Sequence, residues 1–172
     1  MINSFKTNSA SDGFTLIETL VAIFVFGVAL TSVTAILITN NNTANFVKNS
    51  YIASGLAQEG VEVVRNLRDG DWLASRSFGA FGSTTGLPVA DSTYRVQWNS
   101  TTLLANQDVF IKKDSISGIY SYDTGVNTPF KRTVQITTIT SNVEKRIAVN
   151  VSWTERGIPR SINAEDHLYN WR

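Results

Sequence analysis

The feature that most constrains this 172-residue chain is a long apolar run near its amino terminus. No charged residue occurs from Thr19 to Val47, and the side chains from Leu20 to Ile38 are apolar apart from a few hydroxyls. As a helix this run would span about 28 Å, close to the hydrocarbon thickness of a bilayer. A buried helix of a soluble protein normally keeps a polar stripe, which the first half of this run lacks. We therefore expect the run to insert into a membrane.

A cleaved secretory signal peptide is the main alternative for such a run. Its apolar region would be about 7–15 residues long, and its leader would be clearly basic. Here the run is longer, the leader carries only Lys6 against Asp12, and no persuasive A-x-A site follows Ile38. We therefore do not expect cleavage after the run.

Glu18 is the acid at the edge of the apolar run. A carboxylate inside a membrane-spanning segment is costly, so such a residue is a functional candidate that needs a partner. Glu18 could also simply mark the interface where the span begins. The residues alone leave both interpretations open.

The residues that begin at Gly13, in the order Gly-Phe-Thr-Leu-Ile-Glu-Thr-Leu-Val-Ala, resemble the processing and methylation site of type IV pilins and type II secretion pseudopilins. In that family a membrane-bound prepilin peptidase cuts after the glycine and methylates the new amino-terminal phenylalanine. The resemblance implies a cut between Gly13 and Phe14, N-methylation of Phe14, and a role for Glu18 in guiding assembly. Two features depart from the usual pattern: Asp12 stands where a basic residue is usual, and no proline precedes Pro88.

A second helical pattern follows the Asn triplet 40–42. Apolar residues recur at spacings of three, four or seven, and charged residues lie between them. We predict an amphipathic outer helix over 39–70, with a local break at the triplet and a stop at 68–71. The Asp-Gly-Asp within that stop is interpreted as a turn, because two carboxylates fall short of the ligand set of a calcium loop.

The remaining residues predict strands after a Gly- and Ser-rich connection over 74–89. Apolar and polar residues alternate there, as in half-buried strands. A hairpin at Ser141-Asn142 and a final strand over 162–168 complete the pattern. We expect the sheet to pack against the outer helix, because both apolar surfaces are then buried. The alternating apolar residues are Tyr94, Val96 and Trp98; Val134 and Ile136; and Ile147, Val149, Val151 and Trp153.

These patterns predict an α+β fold in which a long amino-terminal transmembrane and stalk helix packs against a small antiparallel β-sheet head, as in pilins. The expected divisions are a leader over 1–13 that the peptidase removes, a transmembrane and filament-core helix over 14–38, the outer helix over 39–70, and a strand-rich head over 71–172. The resemblance is specific near the amino terminus and weak beyond Arg68, although the ending of the chain looks like that of minor pilins.

Signatures of catalysis or of cofactor binding are weak. The chain has no cysteine, and its one histidine, His167, is interpreted as a surface or strand-edge residue. Glu59 and Glu62, followed by Arg65, are interpreted as a solvated ion-pair face. We predict no cofactor and no metal site, and we expect a structural subunit rather than an enzyme.

The net charge of +1 gives no global field to attract nucleic acid, but the segment 130–160 is locally basic. No nucleic-acid reading motif accompanies that local excess, so nucleic acid is the less favoured partner. The partners implied by the resemblance are the prepilin peptidase, other pilin subunits in a homo- or heteropolymer, and the membrane. The charged residues of the segment are Lys131, Arg132, Lys145, Arg146, Arg156 and Arg160 against Glu144 and Glu155.

The resemblance implies a single-pass membrane precursor that becomes a subunit of a surface or envelope-spanning filament. A minor type IV pilin is the favoured interpretation, and a type II secretion pseudopilin is the alternative within the family. A permanently tethered binding protein or hydrolase is the alternative outside it. The sequence leaves open whether the filament serves adhesion, motility, DNA uptake or secretion.

Overall fold

The computed structural model describes residues 13–171, so most of the predicted leader, with Lys6 and Asp12, lies outside the described residues. The chain divides into two compact units, Met1–Asn45 and Phe46–Arg172. The second unit is called the head. The predicted α+β class is confirmed: one long helix and antiparallel strands make up the fold.

The described part of the first unit is helical from Leu16 onward, where helix α1 (Leu16–Leu73) begins. Its hydroxyl side chains donate to carbonyl oxygens three or four residues earlier, as Thr31 does to Val28 at 2.7 Å and Thr34 does to Leu30 at 2.9 Å. In an apolar environment these bonds matter, because an unpaired hydroxyl there is costly. The helix can therefore carry Thr and Ser within its apolar run.

The predicted break at the Asn triplet 40–42 is wrong, because α1 continues through it without interruption. Asparagine lowers helix propensity by only a few tenths of a kcal/mol to about 0.7 kcal/mol per residue, which a continuous ladder of backbone hydrogen bonds outweighs. The predicted stop at 68–71 is also wrong, since α1 ends at Leu73.

The late end of α1 has a tertiary cause. Asp71 is buried, and its Oδ1 accepts hydrogen bonds from the backbone of Gly82 at 3.0 Å and from Arg76 at 3.2 Å. Trp72 is buried as well, and Trp171 stacks edge-on against it with 4.3 Å between ring centroids. These contacts hold the Asp-Gly-Asp segment in the helix, so its interpretation as a turn is wrong.

The head contains two antiparallel sheets. The larger has the strand order β2-β1-β6-β7-β8, and the smaller has the order β4-β3-β5. The long strands β6, β7 and β8 were predicted, although β8 is longer at both ends than the predicted 162–168. The strands are β1 (Ser92–Arg95), β2 (Leu104–Ala105), β3 (Lys112–Lys113), β4 (Tyr120–Ser121), β5 (Val126–Asn127), β6 (Lys131–Thr140), β7 (Glu144–Glu155) and β8 (Ile158–Tyr169).

The core of the head lies between the large sheet and the part of α1 after Phe46. Strands β6 and β7 pair in a register that places Val134 opposite Val149 and Ile136 opposite Ile147. The predicted apolar face of β7 is confirmed, since its four large side chains are all buried. Trp98 departs from its prediction: β1 ends at Arg95, and the Trp98 side chain is 54% exposed. The helix contributes Ala53, Leu56, Ala57, Val61, Val63, Val64 and Leu67 to this core.

The predicted hairpin at Ser141-Asn142 is confirmed, since it joins β6 to β7. Asn142 has a positive φ of 55°, a conformation that asparagine tolerates better than most residues do. The predicted connection over 74–89 is confirmed as well, because it contains turns and bends but no strand.

Candidate functional site

The Gly13–Phe14 bond lies just before helix α1. Residues 13–15 have no regular secondary structure, and α1 begins at Leu16. A Cβ built on Gly13 would meet no heavy atom within 4 Å, and Phe14 is 79% exposed. The described residues therefore leave this bond accessible, as a peptidase substrate requires.

Thr15 caps the first turn of α1. Its Oγ1 accepts a hydrogen bond from the backbone N–H of Glu18 at 3.3 Å, which satisfies one of the free donors at the start of the helix. Sequence reasoning missed this cap, although Thr-x-x-Glu is a known signature of a helix start. The cap fixes Glu18 as the third residue of the helix.

Glu18 is exposed, and its position in the first turn is favourable for a negative charge, because the helix dipole is positive at that end. Among residues 13–171, no cation lies within ion-pair distance of its carboxylate.

The surface of α1 that follows Glu18 is apolar and uncovered. Its large side chains are about half exposed or more, as with Leu20 at 59% and Ile36 at 60%. Helix α1, the one helix within residues 13–171, is long and apolar enough to cross a membrane, judged by length and composition. Large uncovered apolar surfaces are typical of contacts with a membrane or with another protein.

The histidine and the acidic residues singled out in the sequence of the head contact other charged side chains. His167 lies exposed on the edge strand β8, where its ring nitrogens contact Glu144 and Glu165. Glu62 pairs with Arg65 at 2.6 Å, and Arg65 also bonds Asp166 at 2.8 Å, a contact that the sequence did not predict. No group of three or more possible metal ligands was found within residues 13–171.

The locally basic segment does not form a free cationic patch. Lys131 pairs with Asp108 at 2.7 Å, and Arg146 pairs with Glu165 at 2.8 Å. Two other cations are buried in the head: Arg132 pairs with Glu59, and Lys145 pairs with Asp91. Four of the six cations are thus neutralised by acids of the same head, which weakens the argument for a nucleic-acid surface there.

A family model described as the prokaryotic N-terminal methylation motif matches residues 8–34. That motif is the signature of type IV pilins and pseudopilins, and the matched residues include Gly13, Phe14 and Glu18, so the resemblance inferred from the sequence is confirmed. No curated protein and no solved structure gives a significant match. The cleavage point, the methylation of Phe14 and the role of Glu18 remain predictions.

Proposed function

Since the chain carries the amino-terminal signature of type IV pilins and pseudopilins, we propose that it is a structural filament subunit of the minor-pilin type. It enters the membrane as a precursor, loses its leader at Gly13, and polymerises through the apolar part of α1. The observation that carries this proposal is the uncovered apolar surface that begins directly after the accessible Gly13–Phe14 bond. Lipid covers that surface before assembly, and the helices of neighbouring subunits cover it afterwards.

Glu18 gives the assembly its register. A carboxylate in the hydrocarbon region costs several kcal/mol, so it favours any arrangement that supplies a cation. Cleavage after Gly13 creates such a cation, because the new amino terminus of Phe14 is an amine. The amine of one subunit then pairs with Glu18 of the next. This ion pair forms only when the two helices have the correct stagger, so it stabilises that arrangement alone.

A type II secretion pseudopilin is the second candidate, since the same signature marks both groups. The two share the processing step, the membrane helix and the packing of that helix. They differ in what the head contacts and in how long the filament grows.

Processing offers a direct test, with expression in a host that contains a prepilin peptidase. Wild type should yield a chain that begins at Phe14 and carries the added mass of one methyl group. Gly13→Val should keep its leader, because glycine leaves the scissile bond unobstructed and valine does not. Gly27→Val makes the same change inside the helix, where a Cβ also meets nothing within 4 Å, and it should be cut normally.

Intact-mass spectrometry of the membrane fraction reads both outcomes. A mature chain that begins at Phe14 in Gly13→Val would contradict the assigned cleavage point. An uncut wild-type chain would contradict the proposal that the protein is a peptidase substrate at all. An unmethylated mature chain would remove only the methylation of Phe14.

A further inference from the structure

The head carries an open groove of about 490 Å³, which we call the polar groove. It lies between the end of β1, the segment before β3, and the loop after β4. Its walls bear guanidinium, ammonium, carboxylate and amide groups from positions far apart in sequence. These groups belong to Arg95, Gln107, Lys112, Asp123 and Asn127, and Phe110 lies at one end.

The wall of the polar groove is held in place by a buried amide. Gln97 donates from Nε2 to Oδ2 of Asp123 at 2.9 Å, and its Oε1 accepts the backbone N–H of Tyr122 at 2.8 Å. Lys112 donates from Nζ to the carbonyl oxygen of Asp123 at 3.0 Å. Groups fixed in this way lose little freedom when a ligand binds, which favours affinity.

The side chain of Arg95 is also held in place, but part of its guanidinium keeps free hydrogen-bond donors. Its Nε donates to the carbonyl oxygen of Ala105 at 2.9 Å, and its guanidinium lies 4.8 Å from the centre of the Tyr122 ring. Within residues 13–171, neither terminal nitrogen of Arg95 has a hydrogen-bond partner, and neither Arg95 nor Lys112 forms an ion pair. A fixed guanidinium with two open nitrogens suits a carboxylate, which it can bind through two parallel hydrogen bonds.

The acids near the polar groove are already engaged. Both carboxylate oxygens of Asp108 accept from Nζ of Lys131, at 2.7 and 2.8 Å. One oxygen of Asp123 accepts from the amide of Gln97. The Gln97 amide carries no charge, so Asp123 remains in the polar groove as one negative charge. Against it stand two cations, Arg95 and Lys112, which form no ion pair within residues 13–171, and the remaining excess is positive.

The geometry points to the polar groove as a binding site for an acidic polysaccharide, one whose sugar rings bear carboxylates. Arg95 and Lys112 bind the carboxylate, and the side-chain amides of Gln107 and Asn127 meet the ring hydroxyls. Phe110 lies at one end and is 43% exposed. Nζ of Lys131 lies 4.7 Å from the centre of its ring, so a sugar ring would contact the part of Phe110 that Lys131 leaves open. A protein partner would instead call for a deep apolar pocket that holds an aromatic or aliphatic anchor.

The test measures binding to the full chain, unassembled in detergent micelles, by isothermal titration calorimetry. The probe is tetragalacturonate, and its fully methyl-esterified form is the matched neutral ligand. Because the chain is unassembled, a negative result would leave the proposed filament role untouched. A single-stranded oligothymidylate of similar charge is tested as a competitor.

Neighbouring lysines in β3 supply a matched pair of variants. Lys112 lines the polar groove, whereas Lys113 lines a different groove together with Lys48 and Ile52. Lys112→Gln and Arg95→Gln should each lower the affinity for tetragalacturonate by about tenfold, the usual effect of losing a hydrogen bond to a charged group. Lys113→Gln removes the same charge from the same strand and should leave the affinity unchanged.

Three results together support the assignment: binding that prefers the acidic tetramer, binding that weakens with salt, and an affinity that falls about tenfold in Lys112→Gln but not in Lys113→Gln. Four results would overturn it: no binding of the acidic tetramer, equal binding of the methyl ester, equal losses in the two lysine variants, or stronger binding of the oligothymidylate. Lys112→Gln keeps the test decisive even if Arg95→Gln fails to fold.

Discussion

Gly60 lets helix α1 pack closely on the large sheet. A Cβ built at this position would lie 2.8 Å from Cγ1 of Val149 and 3.3 Å from Cδ of Arg132. The same region is tied by buried hydrogen bonds, because Arg132 donates to the carbonyl oxygen of Leu56 at 2.8 Å and to Glu59 at 2.9 Å. The absence of a side chain at Gly60 therefore makes room for the sheet.

Gly60→Ala should therefore destabilise the head, although alanine is the better helix former. Overpacking of a close contact costs about 1–3 kcal/mol, which exceeds the propensity gain of up to about 1 kcal/mol. Gly55→Ala is the matched control, because a Cβ there meets nothing within 4 Å, and it should stabilise the helix slightly. Thermal unfolding followed by circular dichroism compares the two, and a higher melting temperature for Gly60→Ala would contradict the close packing.

His167 is a residue whose pKa depends on its neighbours. Its Nδ1 contacts Oε1 of Glu144 at 2.6 Å, and its Nε2 contacts Oε1 of Glu165 at 3.3 Å. The hydrogen bond to Glu144 is the main cause that raises the pKa of His167 above its ordinary value, and Glu165 adds to it. Arg146, which pairs with Glu165, lowers the pKa of that carboxyl group.

A raised histidine pKa means that the folded head favours the protonated ring. The stabilisation is fully present below the ordinary histidine pKa of about 6.5, and it is lost as the pH rises through the folded-state value. Glu144→Gln should lower the pKa of His167 and flatten this dependence. Since the chain has one histidine, its NMR titration is unambiguous. Glu62→Gln is the control on α1, and an equal pKa in wild type and Glu144→Gln would contradict the assigned cause.

At the scale of elements, strand β7 dominates the core. The side chains of its apolar face alternate with more exposed ones, and Trp153 ends that face, 4% exposed and edge-on to Phe130 at 6.0 Å. Removing a large buried aromatic side chain usually costs about 3–5 kcal/mol. This is a large share of the stability of a small domain.

Trp153→Ala should accordingly lower the melting temperature of the full chain strongly or prevent the head from folding. Trp98→Ala makes the same change at a side chain that is mostly exposed, so it should have a small effect. Denaturant unfolding of both variants provides the measurement. Equal stabilities would mean that the face of β7 is not the core of the head.

The sequence could predict those elements that are long and whose apolar residues recur at a regular spacing. Strand β7 is long and alternates along most of its length, and β6 alternates over its first six residues. The apolar run of α1 is longer than the apolar region of a signal peptide. Strands β2 to β5 have two residues each, which is too short for any period to show. The end of α1 depends on Asp71 and its partners Arg76 and Gly82, which no local pattern reveals.

The same distinction holds for the sites. Gly13, Phe14 and Glu18 occur in a fixed local order within the matched motif, so the sequence alone could predict roles for them, and those roles stay predictions. The polar groove is formed by residues from separate segments, such as Arg95, Lys112 and Asp123, which only the fold brings together. A sequence pattern cannot indicate a site of that kind.

At the scale of the whole molecule, the head and the described part of the first unit differ in how they pair charges and cover apolar side chains. The head pairs most of its locally basic segment with its own acids, and it buries its apolar faces in one core. The described part of the first unit does neither, since its apolar side chains are uncovered and Glu18 has no cation nearby within residues 13–171. In the proposed filament, other copies of the same helix would cover these apolar side chains, and a cleaved amino terminus would supply the cation.

Incorporation of a Glu18→Ala variant into filaments tests this claim most directly. The substitution removes the partner of a neighbouring Phe14 amine and makes the helix more apolar, so membrane insertion should persist while entry into filaments falls. Glu62→Ala is the control, an acid on the same helix that pairs within the head. Membrane fractionation measures insertion. Recovery of the subunit from sheared filaments, or from crosslinked assemblies if the filament is short, measures incorporation. We expect normal insertion with reduced incorporation for Glu18→Ala alone, and undiminished incorporation of that variant would contradict the pairing of Glu18 with a neighbouring amine.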